Sequence, residues 1–335
     1  MNRQGGPDRI LELSRAFRKA KVLFSAVELS VFTVLSDGGL DLETLRKKTS
    51  VAERGARDFF DALVALDLLG RDDDGRYSNT TETALYLDAN KRTYIGQELI
   101  YFGERIYPHW NLLTPALRTG KPQSDNAADY FQSLYADQTT LEKFVSGMTG
   151  GSRLAAQSIA EAFAWGNVRT FADIGTAEGC LPVEIAQVHS HLEGVGFDLP
   201  QVRPVFDQYV RQHRLEHRLK FCPGNFLSDP LPQADILVMG RILHNWDLRT
   251  KKMLLGKAYE AVPTGGALLV YERLIDDDRR SNVAGLLASL HMLIMTEGGF
   301  DFTSADCIGW MRGAGFRDIE VHRLKGDTSM IVGLK

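Results

Sequence analysis

The string Arg241-Ile242-Leu243-His244-Asn245-Trp246-Asp247 follows an apolar run and sets an imidazole among an amide, an indole and a carboxylate. An imidazole titrates close to neutral pH and can act there as a general base. A single histidine can equally be a structural side chain. Its place at the end of an apolar run, where an open sheet presents its ligand crevice, favours His244 as a base. Glu272 closes a later apolar run, and Asp301 follows Gly298-Gly299. Either carboxylate could hold the imidazole in one tautomer and stabilise its cation. Either could equally be a surface charge.

Upstream stands Phe171-Ala172-Asp173-Ile174-Gly175-Thr176-Ala177-Glu178-Gly179, an apolar run entering a glycine-punctuated turn. Gly175 and Gly179 let the backbone approach a ligand, and a helix opening there offers free N–H groups. The dinucleotide fingerprint would need further glycines at 177 and 180, where Ala177 and Cys180 stand. Asp173 suits a cofactor that carries positive charge. Asp198, 25 residues after Asp173 in Gly196-Phe197-Asp198-Leu199-Pro200, can accept both hydroxyls of a ribose or serve as a turn residue. Gly224-Asn225-Phe226 offers an amide and an aromatic face at the next such position, where an adenine could lie. Alone it would read as an ordinary loop. In this order the three strings suit a nucleoside cofactor without a pyrophosphate.

Elements must hold these groups in place. Apolar runs at 168–175, 192–200, 219–227, 234–243 and 265–275 alternate with amphipathic stretches at 181–189, 202–213, 250–262 and 304–316. Strands close the chain at 316–324 and 328–335. This alternation predicts an α/β fold with a mostly parallel sheet covered on both faces. The N-terminal third reads as helical. Ile10, Leu13, Phe17, Ala20, Phe24, Val27, Val31 and Val34 form one stripe, over one helix or two in line, serving either a core or a seam between subunits. Asp41 can cap a short helix, a second is expected over 52–69, and a hairpin follows with Asp74-Gly75 at its tip. Helix, helix and hairpin make a winged-helix arrangement. Glu53, Asp58, Asp61 and Asp67 on its second helix, and Asp72, Asp73 and Asp74 on its wing, have the wrong sign for phosphate. Protein–protein association is the better reading. Between about 90 and 155 lie Tyr94, Tyr101, Phe102, Tyr107, Trp110, Tyr130, Phe131, Tyr135 and Phe144, most of them expected in a core and some against a flat ligand.

The chain has 335 residues, 44% hydrophobic and 24% charged, with a net charge of −4. That is enough for two domains and argues against wholesale disorder, nucleic-acid binding or attachment to anionic lipid. Cys180, Cys222 and Cys307 lack metal or disulfide spacing, and no ligand set for a metal stands out among the eight histidines. No apolar stretch is long enough to span a bilayer, and the N-terminal residues do not read as a secretory signal, so a cytoplasmic setting is expected.

Taken together, these strings resemble those of the class I S-adenosylmethionine-dependent small-molecule O-methyltransferases, the family of acetylserotonin and caffeic acid O-methyltransferases and bacterial natural-product relatives. The resemblance covers essentially the whole chain. It implies a winged-helix-like dimerisation domain over 1–95, a helical connector contributing to the substrate pocket over 96–155, and a Rossmann-like methyltransferase domain over 156–335. By the same resemblance the cofactor is S-adenosylmethionine, contacted by Tyr135, Asp173, Gly175, Gly179, Asp198, Leu199, Gly224, Asn225, Phe226 and Arg241. His244 is the implied base, with Glu272 and Asp301 flanking it and no metal. Tyr101, Trp110, His291, Met292 and Met295, with Phe300, are the expected acceptor-pocket residues. The chain departs from the family pattern at Thr176 and Ala177, where glycine is usual, and at Asn225, where Asp is common. Asp301 stands where Glu is common, and His291 where some relatives have Asn. The implied reaction is methyl transfer to a hydroxyl of a small aromatic or heteroaromatic acceptor by a homodimer. Alternatives are N-methylation, a non-methylating hydroxylase or decarboxylase that uses the same cofactor, and a winged-helix regulator.

Overall fold

The computed structural model describes residues 6–123, 135 and 137–335. Tyr130 and Phe131 lie outside the described residues. The chain divides into two compact units between Pro108 and His109.

In the N-terminal unit, α1 (Asp8–Glu28) is followed by a left-handed Ser30 (φ 56°) and a short helical turn, Val31–Val34. The apolar stripe is therefore split between two environments. Val27 and Val31 are buried with Phe32, Leu45, Phe60 and Leu63, whereas Ile10, Leu13 and Phe17 are 73, 77 and 53% exposed. Asp41 caps α2 (Leu42–Lys48) by accepting the Thr44 N–H at 2.9 Å. The next helix, α3 (Glu53–Ala65), is shorter than the periodicity predicts. Asp67 turns left-handed (φ 58°), and Leu69 opens β1 (Leu69–Arg71), paired antiparallel with β2 (Tyr77–Asn79). The leucines at 66 and 69 continue the helical spacing, but Leu69 buries its side chain from the hairpin instead. The turn around Asp74-Gly75 closes that hairpin, with Gly75 at φ 76°.

The C-terminal unit begins with α4 (Leu113–Thr119) and α5 (Gln138–Ala162). The alternating region runs β3 (Thr170–Ile174), α6 (Cys180–Val188), β4 (Glu193–Asp198), α7 (Arg203–Gln212), β5 (Leu219–Pro223), β6 (Ile236–Gly240), α8 (Leu248–Ala261), β7 (Ala267–Glu272), α9 (Val283–Met295), α10 (Ser304–Ala314), β8 (Arg317–Arg323) and β9 (Ser329–Leu334). The sheet order is β5-β4-β3-β6-β7-β9-β8. The first five strands are parallel, and β9 is antiparallel to both neighbours. Alternate residues feed two cores. Phe171, Val238 and Leu269 point into one, with Leu181 and Phe206. Ala172, Leu237 and Leu268 point into the other, with Leu254 and Met311. This two-sided burial is why β3, β6 and β7 read as mostly apolar runs, broken in β3 by Asp173 and closed in β7 by Glu272.

The chain passes from β3 outward through β4 and β5, then returns to the far side of β3 as β6. This reversal leaves a crevice at the carboxyl ends of β3 and β6, where open α/β sheets bind ligands. Among the described residues, no helix is long and apolar enough to cross a membrane.

Candidate active site

The turn leaving β3 is held in an unusual backbone path. Gly175, Ala177 and Gly179 all have positive φ, at 72°, 51° and 89°. A Cβ at 175 would stand 2.3 Å from the Ile242 side chain, and one at 179 would stand 2.7 Å from Phe206. Backbone angle calls for glycine at both positions, and at 179 the Phe206 ring leaves no room for a Cβ either. Ala177 has no such freedom and carries a left-handed cost of about 1–2 kcal/mol. The Asp198 carboxylate secures the turn, accepting the N–H of Ala177 at 2.9 Å and of Leu199 at 2.8 Å. Burial pushes Asp198 up to about 6 against the pull of these two N–H groups. Asp173 is pushed up to about 7 by burial, opposed by the Thr176 hydroxyl and reinforced by the charge on Asp198. Two buried carboxylates in this state favour a ligand that brings positive charge.

At the end of β5, a Cβ on Gly224 would meet the Phe197 ring at 2.5 Å. The Asn225 side-chain oxygen accepts the Leu227 N–H at 2.9 Å, and the Asn225 N–H donates to Asp229 at 2.8 Å. Asn225 therefore shapes its own loop, a role the sequence reading did not include. The Phe226 ring meets Trp246 edge to face at 5.9 Å and lies 3.9 Å from where a Gly175 side chain would begin. The strings after β3, β5 and β6 thus meet in space.

After β6, Arg241 turns left-handed (φ 54°) while its N–H donates to the Tyr271 carbonyl at 3.0 Å. This folds His244 back against the end of β7. The His244 N–H donates to Glu272 Oε1 at 3.3 Å. Its Nδ1 lies 3.9 Å from Glu272 Oε2 and 3.4 Å from Asp301 Oδ1. Glu272 and Asp301 are both buried. Gly299 permits the approach, because a Cβ there would stand 2.7 Å from the His244 carbonyl oxygen. For His244, burial opposes the imidazolium, but Glu272 and Asp301 together outweigh burial and hold it above its ordinary value. Burial raises Glu272, with the neighbouring Asp301 charge adding to the effect and His244 opposing it. With Nδ1 turned to the carboxylates, Nε2 is the nitrogen left for a reacting proton. The Arg241 Nη1 is buried without a hydrogen-bond partner. One ligand atom from each of His244, Glu272 and Asp301 falls within 4.8 Å of the others. The sequence reading groups these three as a base and its flanking carboxylates and not as metal ligands, yet by geometry alone they could also take a cation.

The expected acceptor residues belong to both units. Trp110 is half-buried against Ala116, Ile294 and Met295, between α4 and α9. Met292 is buried on α9. His291 is pushed down to about 4 by burial and by the positive charge of protonated His244, which keeps it neutral. Its Nδ1 is buried without a hydrogen-bond partner. Tyr135 meets Phe144 edge to face at 6.4 Å and packs on the core containing Phe171. Tyr101 ends a short helix, Gly96–Tyr101, in the N-terminal unit and is buried there. Phe300 lies beside Asp301 with its ring under Lys251, a buried residue the sequence reading passed over. Its spacing of three, four and seven from Leu254, Leu255 and Ala258 is the signal that marks it as inward-facing.

A family model described as the O-methyltransferase domain matches residues 110–317, and one described as the O-methyltransferase dimerisation domain matches residues 11–89. The tetracenomycin polyketide synthesis 8-O-methyl transferase TcmO of Streptomyces glaucescens is 38% identical, over 98% of this chain and 97% of that protein. The N,N-dimethyltransferase OxyT of Streptomyces rimosus is 33% identical, over 97% and 96%. The crystal structure of human N-acetylserotonin methyltransferase in complex with SAM superposes with a TM-score of 0.91 at 28% identity, covering 100% of this chain and 99% of that one.

Proposed function

This chain belongs to the O-methyltransferase family, and from that membership we propose that it methylates a hydroxyl of a small aromatic or heteroaromatic acceptor, with His244 as general base and S-adenosylmethionine as methyl donor. The observation that carries the assignment of the base is the His244 Nδ1 turned to two buried carboxylates, 3.4 and 3.9 Å away. The residues after β3, β4 and β5 suit the donor. Glycines clear the backbone at 175, 179 and 224, and the raised Asp173 and Asp198 carboxylates favour its positive charge. The carboxylate of Asp198 keeps acceptor capacity for ribose hydroxyls beyond the two N–H bonds it already accepts. Leu199 flanks that ribose position, Asn225 and Phe226 take the adenine, and Arg241 and Tyr135 line the remainder.

When bound, S-adenosylmethionine supplies an electrophilic methyl on a sulfonium. The protein must present the acceptor oxygen and remove its proton. A phenol of ordinary pKa near 10 is almost wholly protonated at pH 7. His244 Nε2 accepts that proton as the oxygen attacks, and Asp301 and Glu272 stabilise the imidazolium that forms. Trp110, His291, Met292 and Met295 hold the acceptor, with the neutral His291 offering it a polar contact. Positioning of the reactants supplies most of the acceleration.

Base catalysis of this kind needs no cation at the carboxylates. Turnover is therefore expected to persist after dialysis against EDTA; loss of activity restored by one divalent metal would instead make His244, Glu272 and Asp301 ligands. The likeness to OxyT favours an amine acceptor as a second reading. A neutral aromatic amine needs no prior deprotonation, so a screen of phenols and amines with labelled donor, read by product mass, separates the two.

Residues 1–95 serve dimerisation in this reading, through the exposed Ile10, Leu13 and Phe17 of α1. A stripe of this kind is covered by a second copy of the chain. The double substitution Leu13→Glu with Phe17→Glu is expected to give a monomer by light scattering. A dimer of unchanged mass and affinity would place the seam elsewhere. The three cysteines are unpaired, which supports a cytoplasmic setting for the enzyme.

A further inference from the structure

Lys251, on α8, has 0% of its surface exposed. Proton transfer to His244 as described above does not use it. Its ammonium donates to the carbonyl oxygen of Trp246, two residues beyond His244. It also sits 3.3 Å from the centroid of the Phe300 ring and 5.7 Å from that of Phe302, the two neighbours of Asp301. One side chain thus touches the segment that carries the base and the segment that carries one of its carboxylates. Cation–π contact and a carbonyl bond are what a lysine accepts in place of water when it cannot reach solvent.

The charges of the centre explain what the ammonium does there. Glu272 and Asp301 are two buried carboxylates. The charged and titratable groups that face His244 are Glu272, Asp301, Arg241 and His291, and those that face Lys251 are Glu272, Asp301 and Asp247. Burial brings Lys251 down to about 8, opposed by its three carboxylate neighbours, so it remains mostly a cation at neutral pH. Were this charge missing, the two carboxylates would act on His244 without an ammonium to offset them and would favour the imidazolium more strongly.

We infer that Lys251 is a positioning and charge-balancing residue for the base: it joins the His244 and Asp301 segments and offsets carboxylate charge, so that the imidazole stays free to take a proton at neutral pH. This rests on the assignment of His244 as base, and the test keeps the two ideas apart. Lys251→Met removes the charge at similar length, while Lys251→Gln removes it and can still donate to the Trp246 carbonyl. In both, the His244 Cε1–H proton resonance is expected to titrate at a pH higher by on the order of one unit. The acid limb of kcat/KM should move with it. Lys251→Arg should leave the limb near its wild-type position. A role in packing alone would lower Tm or kcat without moving the titration.

The resonance alone decides the inference. If His244 titrates at its wild-type pH in folded Lys251→Gln or Lys251→Met, the inference is overturned. The assignment of the base is decided separately, by whether the wild-type limb vanishes when His244 is replaced.

Discussion

Replacing His244 with alanine is expected to lower kcat at neutral pH by on the order of 10²–10⁴-fold, the range that a positioned base contributes. The KM for the donor should change little, because in the proposed reading the donor lies against the turns after β3, β4 and β5. The pH profile makes the prediction sharper. Glu272 and Asp301 raise His244 above its ordinary value of about 6.5 despite burial. Only the neutral imidazole can accept a proton. Wild-type kcat/KM should therefore fall as the pH drops, with a midpoint above 6.5, and the alanine variant should lose that limb. Toward pH 10 a phenol ionises unaided, so the gap between variant and wild type should narrow as the pH rises. An alanine variant that turns over at the wild-type rate at pH 7 would remove His244 from the mechanism.

The second large effect is expected at Asp198, where Asp198→Ala should weaken donor binding by about 10²–10⁴-fold, the size of two hydrogen bonds to a charged group, measured by calorimetry. Two losses combine. The carboxylate that would accept the ribose hydroxyls is gone, and hydrogen bonds to a charged group are each worth about 1.5–3 kcal/mol. The N–H groups of Ala177 and Leu199 also lose their acceptor at 2.9 and 2.8 Å. These donors are part-buried, and a fully buried donor left without a partner costs about 1–3 kcal/mol, so Tm should fall by less than that full cost would give. Ala177 already holds a left-handed conformation that this carboxylate secures, so the turn should loosen first. Asp198→Asn keeps one acceptor oxygen and should lie between alanine and wild type in both measurements. If calorimetry returns the wild-type affinity for the alanine variant, Asp198 is a turn residue and nothing more.

Much of this was legible in the residues. The apolar runs at 168–175, 234–243 and 265–275 contain β3, β6 and β7, because strands buried on both faces leave no polar alternation to confuse them. The cap at Asp41 and the hairpin at Asp74-Gly75 follow local hydrogen-bond and backbone rules. Locality also misled. The leucines at 66 and 69 keep helical spacing, yet the left-handed Asp67 ends the segment and gives Leu69 to a strand. Lys251 was passed over because its charge hides a position that the apolar spacing of its helix marks as inward.

The sequence by itself determined which chemical groups the molecule possesses, their order along the chain and the α/β alternation that carries them, since periodicity and turn chemistry are properties of neighbours. Whether Glu272 and Asp301 were partners of the imidazole or surface charges was undecided at that level. Only the tertiary structure brings both near His244 Nδ1, at 3.9 and 3.4 Å. The reason is physical. Convergence of distant segments depends on the order of strands across the sheet, which returns β6 beside β3. It depends as well on clearances such as that at Gly299, where one added carbon would stand 2.7 Å from the His244 carbonyl oxygen.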